Sequence, residues 1–319
     1  MKKRKVTLSL LMVITLLFTS ISFGSFASAS EQKTDKEIFA ENCDQAYWGG
    51  RLLAATTLQE NHTEDCYAAI SMYMAGDHEN LAKLIRGNGP QAQTHSSSPE
   101  VTLDELEAYL NASGMFIYNK EEAPAIIPYS SGTTDINMNT PLITYNSSAS
   151  EWVVSGGGSW KQHEYVDDIP YDVYPYRGKK TNIGGQDAVG VIFHNTSGTV
   201  PVLKRSTGYV HDGNGANMNL SNPYNMSSSK GVIFEYQDYV TFADVSFDCW
   251  YKYMGYGFSS TAVYSSTFSK YHGRAGSYYV HTWGSTNITG ISVSVDSISV
   301  SWTNEANGWT VRNNNDAVF

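Results

Sequence analysis

The chain has 319 residues with a formal net charge of −10, and only 16% of its residues are charged. Its first 29 residues hold four of the 21 basic residues and none of the 31 acidic ones, so residues 30–319 carry 17 basic residues and a net charge of −14. This excess of negative charge argues against nucleic acid and anionic membranes as partners, because both would repel it.

The N-terminus has the pattern of a secretory signal peptide. Basic residues at 2–5 precede an apolar run over residues 6–23, and Ala27 and Ala29 supply the small residues that a signal peptidase requires. An apolar run of this length is also near the lower limit for a membrane span, but the small-residue site favours cleavage. We therefore expect residues 1–29 to be removed and the rest to be extracellular, without a membrane partner.

Four helical patterns follow between residues 34 and 114. Thr34 with Glu37, and Thr102 with Glu105, stand at capping-box spacing before apolar residues of helical period. The glycine pair at 49–50 is expected to weaken or interrupt the first helix. The middle two helices are predicted to begin after Cys66 and Asp77 and to end at Gly76 and Gly87.

After about residue 115 the period of the pattern becomes that of β-strands. Strands are predicted at "PLITYN" (141–146), "EWVVSGG" (151–157), "YDVYPY" (171–176), "AVGVIFH" (188–194), "GVIFEYQDYVTF" (231–242), "SYYVHTW" (277–283) and "GWTVR" (308–312). "ISVSVDSISVSW" (291–302) predicts a hairpin that turns at Asp296–Ser297. Helices first and antiparallel strands afterwards indicate an α+β fold. We expect a main domain over residues 30–258 and a small β-rich C-terminal module over residues 259–319.

Cysteines are the first candidates for chemistry. Export permits a disulfide, and Cys43, Cys66 and Cys249 allow three pairings, of which Cys43–Cys66 would join two neighbouring helices. At a helix N-terminus, however, the macrodipole and unpaired N–H groups lower the pKa of a thiol and make it a nucleophile. Cys66 is thus a nucleophile, half of a disulfide, or a buried thiol without chemistry.

The stretch "QENHTEDCYAAISMYMAG" (59–76) resembles the start of papain-like cysteine peptidase domains of the bacteriocin-leader-processing type. The similarity continues through "VTLDELEAYLNASG" (101–114), "GYVHDGNGANMNLSNPYN" (208–225) and "VTFADVSFDCW" (240–250), with large insertions. It implies a papain-like fold, with Cys66 attacking a peptide carbonyl and Gln59 stabilising the oxyanion. Tyr67 replaces the glycine that usually follows the cysteine.

The family's catalytic histidine is missing from both places where the resemblance would put it, which hold Val202 and Glu151. His194, with Asn222 to orient it, is the preferred substitute, and His163 is the other candidate. Because a cysteine nucleophile needs a general base, two outcomes are open: a peptidase that uses His194, or a degenerate domain without catalysis.

The alternative class is a non-enzymatic secreted module that binds a peptide or cell-wall glycan, or a bacteriocin-like factor. Aromatic residues on a β-face can stack on sugars, but Trp302 shares the apolar face of the predicted hairpin and is expected in the core. The aromatic candidates are Trp283, Trp302, Trp309, Tyr278 and Tyr279. Asp212 has oxygen-bearing neighbours that would suit calcium, but its spacing favours a turn. No zinc-type Cys/His spacing occurs, so the sequence implies no metal and no cofactor.

Overall fold

The computed structural model describes residues 32–53, 62–87, 100–120, 135–161, 178–242, 251–294, 297–304, 307–313 and 315–319. The chain divides into two compact units, Met1–Thr34 and Asp35–Phe319, and the architecture below is that of the second unit. Five predicted features lie outside the described ranges: the signal peptide (1–29), Gln59, His163, Cys249 and the strand at 171–176. Within those ranges, no helix is both long enough and apolar enough to cross a bilayer.

The helical part of the unit contains α1 (Asp35–Leu53), α2 (Thr63–Met74), α3 (His78–Arg86) and α4 (Leu103–Ala112). The capping box at the start of α4 forms as predicted. The N-cap of α3 is Asp77, whose carboxylate accepts a hydrogen bond from the backbone amide of Asn80. Two details differ from prediction. Helix α1 continues through the glycine pair at 49–50, and α2 begins at Thr63, before Cys66.

The strands follow the helices along the chain, and every pair in the described residues is antiparallel. They are β1 (Met115–Ile117), β2 (Ile136–Asn146), β3 (Glu151–Trp160), β4 (Lys180–Gly198), β5 (Leu203–His211), β6 (Asn217–Leu220), β7 (Asn225–Ser227), β8 (Gly231–Phe242), β9 (Tyr251–Met254), β10 (Gly257–Ser265), β11 (Tyr271–Thr282), β12 (Ile288–Ser294), β13 (Ser297–Trp302), β14 (Gly308–Arg312) and β15 (Ala317–Val318). A short 3₁₀ helix, Ser266–Lys270, joins β10 to β11. The class is therefore α+β with a predominance of strand.

Two sheets and one hairpin account for these strands. The first sheet has the order β1-β2-β3-β10-β5-β6. The second has the order β14-β11-β4-β8-β7, with β15 beside β11 and β9 beside β8. Strands β12 and β13 form the hairpin. Strands that are adjacent in a sheet are often distant in the sequence; β10, for example, lies between β3 and β5 in the first sheet.

The two sheets pack face to face around the larger core. Alternation along β3 sends Trp152 and Val154 into this core, where Val189 and Val191 of β4 meet them from the second sheet. The intervening Val153 points to the other face of the first sheet and joins a second core with helices α2 and α4. Helices α2–α4 therefore pack on one face of the first sheet and the second sheet on the other, whereas α1 contributes Cys43 to the larger core.

The boundary expected at residue 258 falls inside β10. This strand pairs with β3 on one side and β5 on the other, and both neighbours precede the boundary. Strand β11 likewise pairs with β4 in the second sheet. Residues 259–319 thus supply strands to both sheets, and Asp35–Phe319 forms one compact unit.

The hairpin covers the outer face of the second sheet. Ile291 pairs with Val300 and Val293 with Ile298. These side chains pack on Ile192 of β4 and form a third, smaller hydrophobic core with it. The apolar face predicted from the alternation is confirmed, and Trp302 lies on it. Ser297, which the prediction placed in the turn, is instead paired with Ser294 in the hairpin.

The glycine run at 156–158 permits a close approach of layers in β3. A Cβ on Gly157 would lie 2.7 Å from the carbonyl oxygen of Met74 at the end of α2 and 2.9 Å from the Cβ of Ser259. The amide of the same glycine donates to the hydroxyl of Ser277 in the second sheet, at 3.1 Å. Glycine is required here because any larger residue would push the helix or the neighbouring strand away.

Candidate functional site

Cys66 lies in the first turn of α2, but it lacks the environment of a nucleophile. Its side chain is 0% exposed and packs among Ile70, Leu106 and Leu110. Its amide is already bonded to the carbonyl of His62, at 3.0 Å. Burial raises the pKa of the Cys66 thiol, and a hydrogen bond to Ser113 opposes that shift only in part. The thiol is therefore neutral at physiological pH and shielded from water.

The two departures from the papain-like pattern contact each other. The Tyr67 hydroxyl donates to Oε2 of Glu151 at 3.0 Å, and it accepts a hydrogen bond from Asn146 at 3.0 Å. The guanidinium of Arg205 donates to the same Glu151 oxygen at 3.1 Å, and the ammonium of Lys204 lies 3.2 Å from Oε1. The Glu151 side chain is only 7% exposed. The place expected for the catalytic imidazole is thus filled by a carboxylate with three donors.

We name this group the Glu151 network and define it as Tyr67, Asn146, Glu151, Lys204 and Arg205. Within it, burial keeps the Tyr67 hydroxyl protonated. Burial raises the pKa of Tyr67 to about 12, and the charge of Glu151 acts in the same direction. The Arg205 guanidinium lies 4.7 Å from the centre of the Tyr67 ring, a cation–π contact. The network contains no free general base, since Glu151 already accepts bonds on both oxygens.

The proposed histidine lies elsewhere in the molecule. His194 is buried in β4, and its Nε2 is 2.7 Å from Oδ2 of Asp316. Asn222, expected to orient it, is exposed between β6 and β7. The orienting carboxylate of His194 is therefore Asp316, a residue that the sequence pattern did not identify.

Layer order separates Cys66 from His194. Cys66 belongs to the core between the helices and the outer face of the first sheet. His194 alternates with Val191 and Phe193, which face inward, so it points to the outer face of the second sheet. Both sheets lie between the two side chains, and packed sheets alone are about 10 Å apart. The structure does not bring Cys66, His194 and Asn222 together.

The remaining sequence-based expectations concern the disulfide, the aromatic face and the calcium loop. Cys43 and Cys66 are both free and buried, so the proposed bridge between them is wrong. None of the five aromatic candidates for glycan binding is exposed: Tyr278 and Tyr279 are buried, and the three tryptophans are half-buried. Oδ1 of Asp212 accepts the amides of Asn214 and Ala216 at 2.8 and 3.0 Å, as in the turn that its spacing favours.

Sequence analysis missed a second polar group, which lies between the sheets. Asp187 of β4, Asp238 of β8 and His281 of β11 are all fully buried on three adjacent strands. One potential ligand atom from each lies within 4.8 Å of the other two. Nδ1 of His281 is 3.0 Å from Oδ2 of Asp187. We call these three residues the Asp187 cluster.

Neighbouring donors hold the two carboxylates in place. The Tyr279 hydroxyl and the Thr282 amide donate to Asp187 at 2.6 and 2.9 Å, and the Tyr253 hydroxyl donates to Asp238 at 2.9 Å. Burial and the nearby charge of Asp187 raise the pKa of Asp238 well above its ordinary value. Chemically, such a cluster can share a proton or hold a cation.

Aromatic rings enclose the Asp187 cluster. His281 stacks on Trp283, with ring centroids 5.6 Å apart, and it meets Trp160 of the first sheet edge-on at 5.0 Å. The cluster escaped sequence analysis because its members are far apart, with 94 positions between Asp187 and His281. The one available clue was the presence of two aspartates at inward-facing positions of otherwise apolar strands.

Comparison with known proteins adds no family. No protein-family model matches the chain, and no curated protein matches it.

Proposed function

We propose that the chain is a secreted protein of papain-like type that has lost peptidase chemistry and binds peptides without cleaving them. The observation that carries this proposal is the Glu151 network. It occupies the position where the resemblance puts a catalytic histidine, and it is held by residues that the resemblance does not require. An active papain-like site needs an ionised thiol and a base within reach of it.

The burial of Cys66 supports the same conclusion. A neutral thiol without access to water or substrate is a poor nucleophile, whatever its position on the helix. A peptide is favoured over a glycan as the ligand, because the five aromatic candidates for stacking on sugars are buried in the hydrophobic clusters or half-buried against them. Arg205 and Lys204, with side chains 42% and 43% exposed, offer a charged rim for a peptide beside the Glu151 network.

Thiol reactivity tests the loss of catalysis, and Cys43 provides a control within the same chain. Burial raises the pKa of Cys43 to about 12, and this residue has no catalytic assignment. The native protein is treated with iodoacetamide near neutral pH, and the labelling rate of each cysteine is followed by peptide mass spectrometry. We expect Cys66 to react as slowly as Cys43. Labelling of Cys66 many times faster than Cys43 would refute the proposal.

Hydrolysis and binding are then measured on one peptide library. Wild type and Cys66→Ala should cleave nothing, and a product that depends on Cys66 would identify a peptidase. Binding of labelled peptides should be detectable for wild type and weakened for Arg205→Ala. The matched control is Arg312→Ala, which removes another half-exposed arginine at an unrelated position. Absence of binding to any peptide would refute the binding role while leaving the loss of catalysis intact.

A further inference from the structure

We propose that the Asp187 cluster is a structural binding site for one divalent transition-metal ion, with Asp187, Asp238 and His281 as protein ligands. This site is separate from the Glu151 network and independent of the function proposed above. Three arguments carry the proposal: the spacing of the ligand atoms, the balance of charge, and the rigidity of the surroundings.

Spacing is the first argument. Ligands of a tetrahedral zinc ion with N or O donors at about 2.0–2.1 Å are roughly 3.3 Å from one another. Nδ1 of His281 and Oδ2 of Asp187 are 3.0 Å apart, and all three ligand atoms lie within 4.8 Å of one another. Shifts of a few tenths of an ångström to about one ångström would bring all three onto one ion. The ion would replace the direct hydrogen bond between Nδ1 of His281 and Oδ2 of Asp187.

Charge is the second argument. Two fully buried carboxylates face one imidazole, so if both were ionised even a protonated His281 would leave one negative charge without an opposite partner. Among the residues that the structure describes, no lysine or arginine forms an ion pair with Asp187 or Asp238. A buried charge must be neutralised by a proton or a cation. A divalent ion would neutralise both carboxylates at once and leave the imidazole neutral, as a ligand requires.

Rigidity is the third argument. The ligands stand on β11, β4 and β8, which are consecutive in the second sheet, and the Tyr279 hydroxyl and Thr282 amide fix the Asp187 carboxylate from outside the ligand set. Such outer partners orient metal ligands and are a regular part of metal sites. The Tyr253 hydroxyl, 2.9 Å from Asp238 and 3.5 Å from Asp187, is within hydrogen-bond distance of both carboxylates and helps to fix them.

The donor set indicates the class of metal. Imidazole nitrogen favours zinc and its neighbours in the first transition row, whereas calcium and magnesium prefer sites made of oxygen alone. Because the cluster is sealed by aromatic rings, the ion would be acquired during folding and then retained. Zinc is therefore the first probe and manganese the second.

Metal content and refolding test the site on the full chain. Protein purified without chelators is assayed for metal, then unfolded with EDTA and refolded in metal-free buffer with or without zinc or manganese chloride. We expect about one equivalent of metal per native chain. We also expect the thermal midpoint of the metal-refolded protein to exceed that of the metal-free protein by about 5 °C or more.

Variants separate a metal site from a proton-sharing cluster. Asp238→Asn should lose both the metal and the metal-dependent rise in midpoint. The control Asp316→Asn alters a different buried His–Asp pair, His194–Asp316, and should keep both the metal and the rise in midpoint. If Asp238→Asn does not fold, the two refolding arms of wild type still decide. A wild type that carries no metal and reaches the same midpoint with and without added metal would overturn the proposal and leave a shared proton as the neutralising charge.

Discussion

Replacing Glu151 with glutamine separates a structural role from a catalytic one at the position where the resemblance puts the active-site histidine. Catalytic side chains are commonly held in arrangements that cost stability, so their removal often stabilises the fold. A carboxylate that is buried and accepts hydrogen bonds from Tyr67 and Arg205 should behave in the opposite way, because its removal leaves a buried donor without a partner. Glu151→Gln should therefore destabilise the protein.

The magnitude follows from the contacts. Hydrogen bonds to a buried charged group contribute about 1.5–3 kcal/mol each, whereas ion pairs with side chains as exposed as Lys204 and Arg205 contribute about 0–1 kcal/mol. Glutamine keeps one acceptor oxygen, but its NH₂ group would face donors, which destabilises the fold. Loss of the buried charge removes part of the desolvation penalty, which offsets some of that loss. We expect a loss of about 2 kcal/mol in the free energy of unfolding for Glu151→Gln and about 1 kcal/mol for Tyr67→Phe.

Urea unfolding followed by tryptophan fluorescence measures both variants and the double variant. Because the two side chains are bonded to each other, the double variant should lose at least about 1 kcal/mol less than the sum of the single losses. Glu64→Gln is the matched control: Glu64 lies 3.7 Å from the same Arg205, but it is 79% exposed and should cost less than about 0.5 kcal/mol. Unchanged or increased stability of Glu151→Gln would contradict the structural role.

Three further predictions address the core and the cysteines. Burial lowers the pKa of Lys36 from 10.5 to about 7, so between these pH values the unfolded chain binds more protons than the folded one. The free energy of unfolding should therefore rise with pH by up to about 1.4 kcal/mol per pH unit. Urea unfolding at pH 7 and pH 9 should show this rise for the wild type and not for Lys36→Met. Gly157→Ala should lower the free energy of unfolding by about 1–3 kcal/mol, because the added Cβ would collide with the end of α2. The control Gly290→Ala should leave the free energy of unfolding without such a loss, because the nearest atom to its added Cβ is 3.9 Å away. Denaturation without a reductant should expose both Cys43 and Cys66 to alkylation, because both thiols are free in the structure. A peptide mass that shows the two cysteines joined by a disulfide would contradict this prediction.

Local elements of the fold were predictable because their causes are local. The capping box of Thr102 and Glu105 depends on residues three positions apart, and it forms at the start of α4. The alternation in "ISVSVDSISVSW" specified both strands of the hairpin and the face they bury. Strand β8 begins and ends where its apolar pattern does, at Gly231 and Phe242.

Strand order was not predictable, because it depends on contacts between distant parts of the chain. Nothing in the pattern of residues 257–265 indicates that β10 inserts between β3 and β5, which are about 100 and 50 positions earlier, respectively. The same distance concealed the Asp187 cluster. Each of its strands looks like an ordinary buried strand when read alone, and the three side chains converge only when the strands are neighbours.

Cys66 illustrates how a correct local rule can give the wrong chemistry. A helix N-terminus stabilises a thiolate by about 0.3–1 kcal/mol, and by up to about 2 kcal/mol in partly buried positions. Removal of an isolated charge from water costs several kcal/mol, so for a side chain that is 0% exposed the burial effect is the larger one. The direction of the Cys66 pKa, raised chiefly by burial, agrees with this comparison. The residues that bury the thiol come largely from α4 and the first sheet, so the outcome depended on packing that the helix alone could not reveal.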